Sequence, residues 1–363
     1  MAILKNFLLS SAGWTLRKGY LWQMTSQYSE RMQLAPTLLQ FRARKNGPPF
    51  QILYYHRILP KSDPYAIDAI RVTDFDQQMS MLSGAFNLMT INQLYLALER
   101  GIIPPKTACV TFDDGYLDNL LYAAPILKKH HVPATIFLAT DFIGTGKTLW
   151  PDRIISTVRH THCSTLSEYF FGIRLPLDSQ QTRLAAIKML LEWFKQFSPE
   201  RREEHIQHLQ SLLGVPPKRE RRLMLNWDEV RYMQKAGIEF GSHTVSHPIL
   251  SHLTDEQIDQ EVADSKREIE TQIDTPVESF AYPNGRLCDF DERVIGALKN
   301  HGYKSAVTTC DSANDATVDP FVLSRESVWE MDANRLFIRM VMKRVLHSQN
   351  GNSADTMMLM SKK

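Results

Sequence analysis

Apolar and polar positions follow two periods along this chain. Short runs that are apolar or β-branched throughout recur at FQILYYH (50–56), TACVTF (107–112), ATIFLA (134–139), IEFGS (238–242), ESFAYP (278–283) and KSAVTT (304–309). FVLSRESV (321–328) is a seventh. Each is bounded by Pro, Gly or Asp, as strands buried on both faces are. Between them the period changes to that of a helix, in FDQQMSMLSGAF followed by INQLYLALERG, then NLLYAAPILKKHH, WDEVRYMQKAG, TDEQIDQEVADSKREIETQI and FDERVIGALKNHG. Thr90 and Thr254 stand where N-caps belong, and Gly101, Gly237 and Gly302 where helices stop. Strand and helix alternate, so the chain reads as α/β with a mostly parallel sheet. About seven strands in one series suit a barrel better than an open sheet.

Residues 151–225 break this rhythm and read as helices (QTRLAAIKMLLEWFKQF, RREEHIQHLQSLLG) inserted between the third and fourth strands, a lid or a wall of the cleft. The predicted organisation is an N-terminal arm (1–48), a barrel (49–330) carrying the insertion, and a C-terminal part (331–363). That last part is a basic amphipathic helix, NRLFIRMVMKRVLH, with a polar tail from 347 expected to be disordered. KRERR (218–222) reads as a solvated loop.

Composition narrows the class only a little. A chain of 363 residues with 43% hydrophobic and 23% charged positions is an ordinary globular protein, and a net charge of +2 gives no reason to expect a nucleic-acid partner. Cys109, Cys163, Cys288 and Cys310 are far apart, make no C-x-x-C and suggest no disulfide framework. The apolar stretch in MAILKNFLLSSAGW is short, broken by Asn6 and soon followed by Arg17 and Lys18, so a cleaved signal is not expected. A cytoplasmic protein is expected, with the basic, aromatic arm as a solvated helical extension packed on the domain or, as the second reading, a contact to the inner membrane face. Oligomeric state is not legible.

The polar residues at the strand ends carry the chemistry. The first strand ends in Tyr55-His56, the second in Asp113-Asp114-Gly115, the fourth opens onto His243 and His247, and the fifth ends in Tyr282-Pro283-Asn284-Gly285. In a barrel of this kind these ends lie on one face, where working groups sit. Two neutral imidazoles and one carboxylate leave an open position on a divalent ion, the pattern of a catalytic zinc. Histidines four apart reach one ion if the segment turns helically. Gly115 would let both acids face the cleft, one on the ion and one free as a base. Trp150-Pro151-Asp152, just after the third strand, is placed to line the cleft or to pack beneath it. RHTHCS (159–164) lies off any strand end and is not expected to hold a second ion. His205 and His208 read as an exposed helical face.

TFDDG (111–115), SHTVSH (242–247) and FAYPNG (280–285) together resemble the first three motifs of the polysaccharide deacetylases, the NodB-homology family or carbohydrate esterase family four. The resemblance runs from about Gln51 to Val328. It implies a distorted (β/α) barrel of about seven strands and metal-dependent removal of N-acetyl groups from amino sugars. It further implies Asp113 as catalytic base, Asp114, His243 and His247 as metal ligands, and zinc as the ion. The partner is an N-acetylated glycan. A backbone N–H near Tyr116 or Asn284 would hold the oxyanion, with Tyr282 and Trp150 beside the substrate.

Two departures stand out. The family's third motif commonly reads R-x-x-P-x-G, its Arg orienting the catalytic Asp, and here Phe280 holds that position; Arg325 in LSRESV could supply the guanidinium. The late Leu-x-His that carries the general acid in many members has no counterpart, since His347 lies in the final helix. YYH (54–56) resembles instead the early Tyr-His of the branch acting on poly-N-acetylglucosamine, which makes His56 the acid. Other acyl groups, formyl or O-acetyl, and a non-catalytic glycan-binding protein are the competing readings.

Overall fold

The computed structural model describes residues 47–166, 174–216, 222–328 and 332–349. The expectations for the arm up to residue 46, for 218–221 of the basic run and for the tail beyond 349 lie outside these residues.

In chain order the first half contains β1 (Gln51–Tyr55), β2 (Arg57–Leu59), β3 (Ala69–Arg71), α1 (Val72–Ala85), β4 (Asn87–Leu88) and α2 (Ile91–Glu99). β5 (Thr107–Phe112), α3 (Ala124–Lys129) and β6 (Ala134–Leu138) complete it. The insertion supplies α4 (Trp150–His160), the short hairpin β7 (Thr165–Leu166) and β8 (Leu175–Pro176), α5 (Gln180–Phe194) and α6 (Pro199–Leu212). Then come α7 (Trp227–Lys235), β9 (Glu239–Ser242), α8 (Asp255–Ile273), β10 (Ser279–Ala281), α9 (Glu292–Asn300), β11 (Ser305–Val307), β12 (Glu326–Ser327) and α10 (Ala333–Gln349).

The seven expected runs all enter one sheet, in the order β11-β10-β9-β6-β5-β1-β12, with every pairing parallel and β4 added beside β5. The seventh run is mostly extended loop: only Glu326 and Ser327 pair with β1, opposite Leu53 and Tyr54. Its earlier residue Leu323 bridges to Val307 of β11, so the segment 323–327 draws the two edges of the curled sheet together. This is the distorted α/β barrel.

Side chains alternate across the strands. Ile52, Cys109, Phe137, Ala281, Val307 and Leu323 meet in one cluster with Ile91 and Leu94 of α2. Leu53, Val110, Ile136, Phe280 and Ala306 belong to the larger cluster under the surrounding helices. Thr111 and Asp113 share the parity of Cys109, which aims them into the curl. At Gly241 a Cβ would lie 2.6 Å from the Phe137 ring and 2.7 Å from Ser279 Oγ, so β9 can pass there only as glycine.

Thr90 and Thr254 cap their helices as expected, and Ser179 and Asn226 cap two more. Thr90, Ser179, Asn226 and Thr254 each form a capping box with the residue three on. Three details differ from expectation. NLLYA (119–123) is a turn of π-helix ahead of α3, which accommodates Pro125, a residue with no N–H to give the helix ladder. The insertion includes an antiparallel hairpin as well as helices. α10 runs through 347–349, taking in the start of the stretch expected to be a tail.

The insertion buries a cluster of its own, with Ile154 and Val158 of α4, Ile187, Leu190 and Phe194 of α5, and Ile206 and Leu209 of α6. His205 is not on a bare face: its ring lies 4.4 Å from Phe197 and 5.2 Å from Trp193. His208 is likewise half-buried. Among the described residues no helix is long and apolar enough to cross a membrane.

Candidate active site

The site grows out of the end of β5. Asp113 still holds the strand register, its N–H donating to the Tyr55 carbonyl at 3.0 Å. The chain then turns through two left-handed residues, Asp114 at φ 74° and Gly115 at φ 84°. Asp tolerates that region better than most residues, and the cost, of order 1–3 kcal/mol for a non-glycine, must be met by the surroundings. Gly115 has no such latitude, since a Cβ would fall 2.7 Å from Leu138 Cδ2 and 3.0 Å from Ile143 Cδ1. Leu225 N–H donates to the Gly115 carbonyl at 2.9 Å and Leu117 N–H to the Leu223 carbonyl at 2.7 Å. These bonds pair the residues on either side of Tyr116 with segment 223–225 and leave the Tyr116 N–H facing away from that segment.

His243 and His247 do come together, with ring centroids 4.8 Å apart, but not on a helical turn. Residues 243–249 form an irregular loop in which Thr244 (φ 70°) and His247 (φ 56°) are left-handed. Glu261 of α8 holds this loop, accepting from the N–H groups of Val245 (2.7 Å) and Ser246 (2.9 Å) and from the Ser246 hydroxyl (2.5 Å). The sequence reading missed Glu261, whose trace was an acid on the inward stripe of α8 between Ile258 and Ser265.

Asp114 Oδ1 lies 3.6 Å from His243 Nε2 and 3.4 Å from His247 Nε2. The three ligand atoms fall within 4.8 Å of one another, the one such cluster of His, Cys, Asp and Glu among the described residues. Neither His160 nor Cys163 of the RHTHCS run joins one. Buried Asp114 Oδ1 accepts no hydrogen bond. His243 Nδ1 sits 2.7 Å from the Ala281 carbonyl, which makes it the N–H donor and leaves the Nε2 lone pair facing Asp114. Burial brings the His243 pKa down to about 4 and that of His247 well below its usual value. Both rings are therefore neutral at pH 7, the form that ligates metals. Burial likewise raises Asp114, to about 7, against the pull of His56. An unpartnered carboxylate oxygen and two neutral imidazole nitrogens this close fit a divalent cation.

Arg325 meets Asp113 in a two-pronged ion pair, Nη1 to Oδ1 and Nη2 to Oδ2 both at 2.7 Å. Its remaining donors reach the Thr308 carbonyl (2.9 Å) and Thr111 Oγ1 (3.1 Å), and it stacks over Tyr54 at 4.8 Å. Arg325 is 0% and Asp113 2% exposed. Burial alone would raise the Asp113 pKa, but the Arg325 guanidinium overrides it and holds the carboxyl well below the usual range. Phe280, at the motif position where an Arg is common, is buried in the core.

His56 stands at the mouth, its Nε2 4.0 Å from Asp113 Oδ2 and its carbonyl accepting from Asn119 Nδ2 at 2.9 Å. Tyr116 donates its hydroxyl to Asp152 Oδ2 at 2.9 Å. Arg57, which no motif singles out, lies 4.7 Å over the Tyr116 ring and donates to Asp118 at 2.9 Å. A cleft of about 810 Å³ brings together His56, Asp113, Asp114, Tyr116, Trp150, His243, His247 and Asn284. Tyr282 is a correction. Its ring stacks on Phe290 at 3.8 Å and its hydroxyl donates to the Phe321 carbonyl, so its side chain is core and not a cleft wall. Alternation places it outward, while Asn284, left-handed at φ 61° and bonded to Asp289, turns back to the cleft.

The polysaccharide deacetylase family model matches residues 101–306. YxkH of Bacillus subtilis (strain 168), assigned to the polysaccharide deacetylases, is 25% identical over 281 residues, covering 76% of this chain and 70% of its own. The poly-beta-1,6-N-acetyl-D-glucosamine N-deacetylase of Staphylococcus epidermidis is 28% identical over 212 residues, 52% of this chain and 70% of that protein. Among solved structures, the Streptococcus pyogenes deacetylase PplD in complex with acetate superposes with a TM-score of 0.56 at 20% identity, covering 80% of this chain and 98% of that one. IcaB from Ammonifex degensii gives 0.52 at 19% identity, covering 80% and 97%.

Proposed function

The chain belongs to the polysaccharide deacetylase family, and from that premise we propose that it is a metal-dependent hydrolase removing N-acetyl groups from N-acetylhexosamine units of a polysaccharide or lipid-linked glycan. The observation that carries this reading is the pair of carboxylates at one turn in opposite states. Asp113 is locked and ionised by Arg325, while Asp114 faces two neutral imidazoles with an oxygen unsatisfied.

Asp114, His243 and His247 would hold the ion, with zinc as our choice for three such ligands and an open position. When bound, a divalent ion supplies Lewis acidity to the acetyl carbonyl and raises the acidity of the attacking water. The remaining work falls to the chain. Asp113 accepts the water's proton, and Arg325 fixes the direction of the receiving oxygens. The Tyr116 N–H, left unused by the bonds that Gly115 and Leu117 make to segment 223–225, donates to the developing oxyanion. His56, beside Asp113 at the mouth, gives a proton to the departing amine. Trp150 offers its ring to the sugar. The products are acetate and a glycan with one more positive charge.

The test is acetate release from N-acetylglucosamine oligomers by purified full-length protein, with zinc and with chelator. Release that needs metal and falls at least about a hundredfold in Asp113→Asn, with metal content unchanged, is the expected result. Stoichiometric metal without release would direct the search to formyl or O-acetyl substrates. Full activity in Asp113→Asn would end the assignment of the base.

A further inference from the structure

A second cavity, of about 530 Å³, lies between the insertion and the loop after β6, and nothing in the proposed reaction uses it. It shares Trp150, Asp152, Ser156 and His160 with the walls of the catalytic cleft, so the two spaces adjoin across the first turns of α4. Its volume is that of a small-ligand pocket.

The notable group on its wall is Arg202 of α6. This side chain is 3% exposed and its guanidinium lies 4.7 Å over the Trp150 ring. Nε donates to the Phe194 carbonyl at 3.3 Å and Nη2 to the Phe197 carbonyl at 3.1 Å. Among the described residues Nη1 has no hydrogen-bond partner and no carboxylate lies within ion-pair distance of the guanidinium, the field of Glu200 reaching it only from farther off. The cavity's other long cations are both neutralised, Lys147 by Asp141 at 2.5 Å and Arg153 by Glu203 at 2.5 Å. Asp152 is turned onto the Tyr116 hydroxyl. A buried arginine without a counter-charge is costly unless something supplies one. Burial accordingly lowers its pKa to about 10. The surrounding carboxylates favour a single negative charge over a dianion, and the guanidinium's planar fork matches a carboxylate.

We propose that this cavity is a subsite for a monocarboxylate held by Arg202 against Trp150. The carboxylate is either one carried on a sugar next to the unit being deacetylated or free acetate leaving the site. Only the choice between these two sources rests on the deacetylase reading.

The experiment uses full-length protein stripped of metal, so that an anion cannot bind at Asp114, His243 and His247. Thermal melting is followed in sodium acetate and in sodium glucuronate, against sodium chloride at equal ionic strength. One of the two carboxylates raises the wild-type melting temperature, and the apparent Kd weakens at least about tenfold in Arg202→Gln. No rise in wild type, or an equal rise in Arg202→Gln, overturns the proposal. Should Arg202→Gln not fold, Pro216→Trp decides in its place. It crowds the cavity from an exposed position and leaves the cation intact, and an undiminished rise there overturns the subsite equally. With metal restored, an Arg202→Gln loss of kcat/KM confined to oligomers bearing a uronic acid assigns the carboxylate to the glycan. A loss of acetate binding with the ratio of acidic to neutral substrates unchanged assigns it to the product. If neither oligomer is turned over, the deacetylase reading fails while the melting result still stands.

Discussion

Asp113 and Arg325 stand 212 positions apart in sequence and share one buried ion pair. Removing one member of such a pair strands the other charge in the core, which costs about 3–5 kcal/mol. Arg325→Met is therefore expected to lower stability by that order at pH 7, read by urea unfolding; a loss below about 1 kcal/mol would show the pair is not buried in solution. The sign with pH follows from the depressed Asp113 pKa. The contribution is fully present above the unfolded value near 4 and is lost as pH falls through the folded value, so wild type and Arg325→Met converge in acid. In the loop after β9, His247→Ala removes one of the three proposed ligand atoms. Metal content measured after dialysis against a trace of zinc is expected to fall from one per chain to near none, and unchanged content would refute the ligand assignment.

At the scale of elements, strands, helices and caps were largely legible because their rules are local. TACVTF reads as a buried strand and Thr254 as a cap without any knowledge of the rest of the chain. That Asp114, His243 and His247 come together was legible for a similar reason, since strand ends in this architecture share a face. Arg325 was legible as a candidate for the missing motif guanidinium, but its contacts were not, because what it touches depends on how segment 323–327 closes the sheet. Tyr282 was misread because the parity that turns its neighbour Asn284 inward sends it outward. The helical turn expected for 243–247 failed because Glu261, 14 or more positions on, holds an irregular loop instead. Packing within elements gives its own prediction. Gly241→Ala puts a methyl into the Phe137 ring, and overpacking of this kind costs about 1–3 kcal/mol. A melting temperature equal to wild type would mean that β9 shifts without penalty.

Over the whole molecule, the ion is expected to act as a tie between β5 and the loop after β9, because it binds the folded arrangement of ligands and not the unfolded chain. Adding chelator should lower the melting temperature by several degrees, and the same treatment of His247→Ala should change little. An equal drop in both proteins would place the stabilising ion elsewhere. The closing segment has a further consequence, for synthesis. The carboxylate at position 113 leaves the ribosome more than two hundred residues before the guanidinium that neutralises it. A nascent or prematurely terminated chain lacking residue 325 must keep that acid in water or protonated, so the barrel cannot seal around it. Such fragments keep an open sheet, which makes closure by segment 323–327 a physical test that the chain is complete.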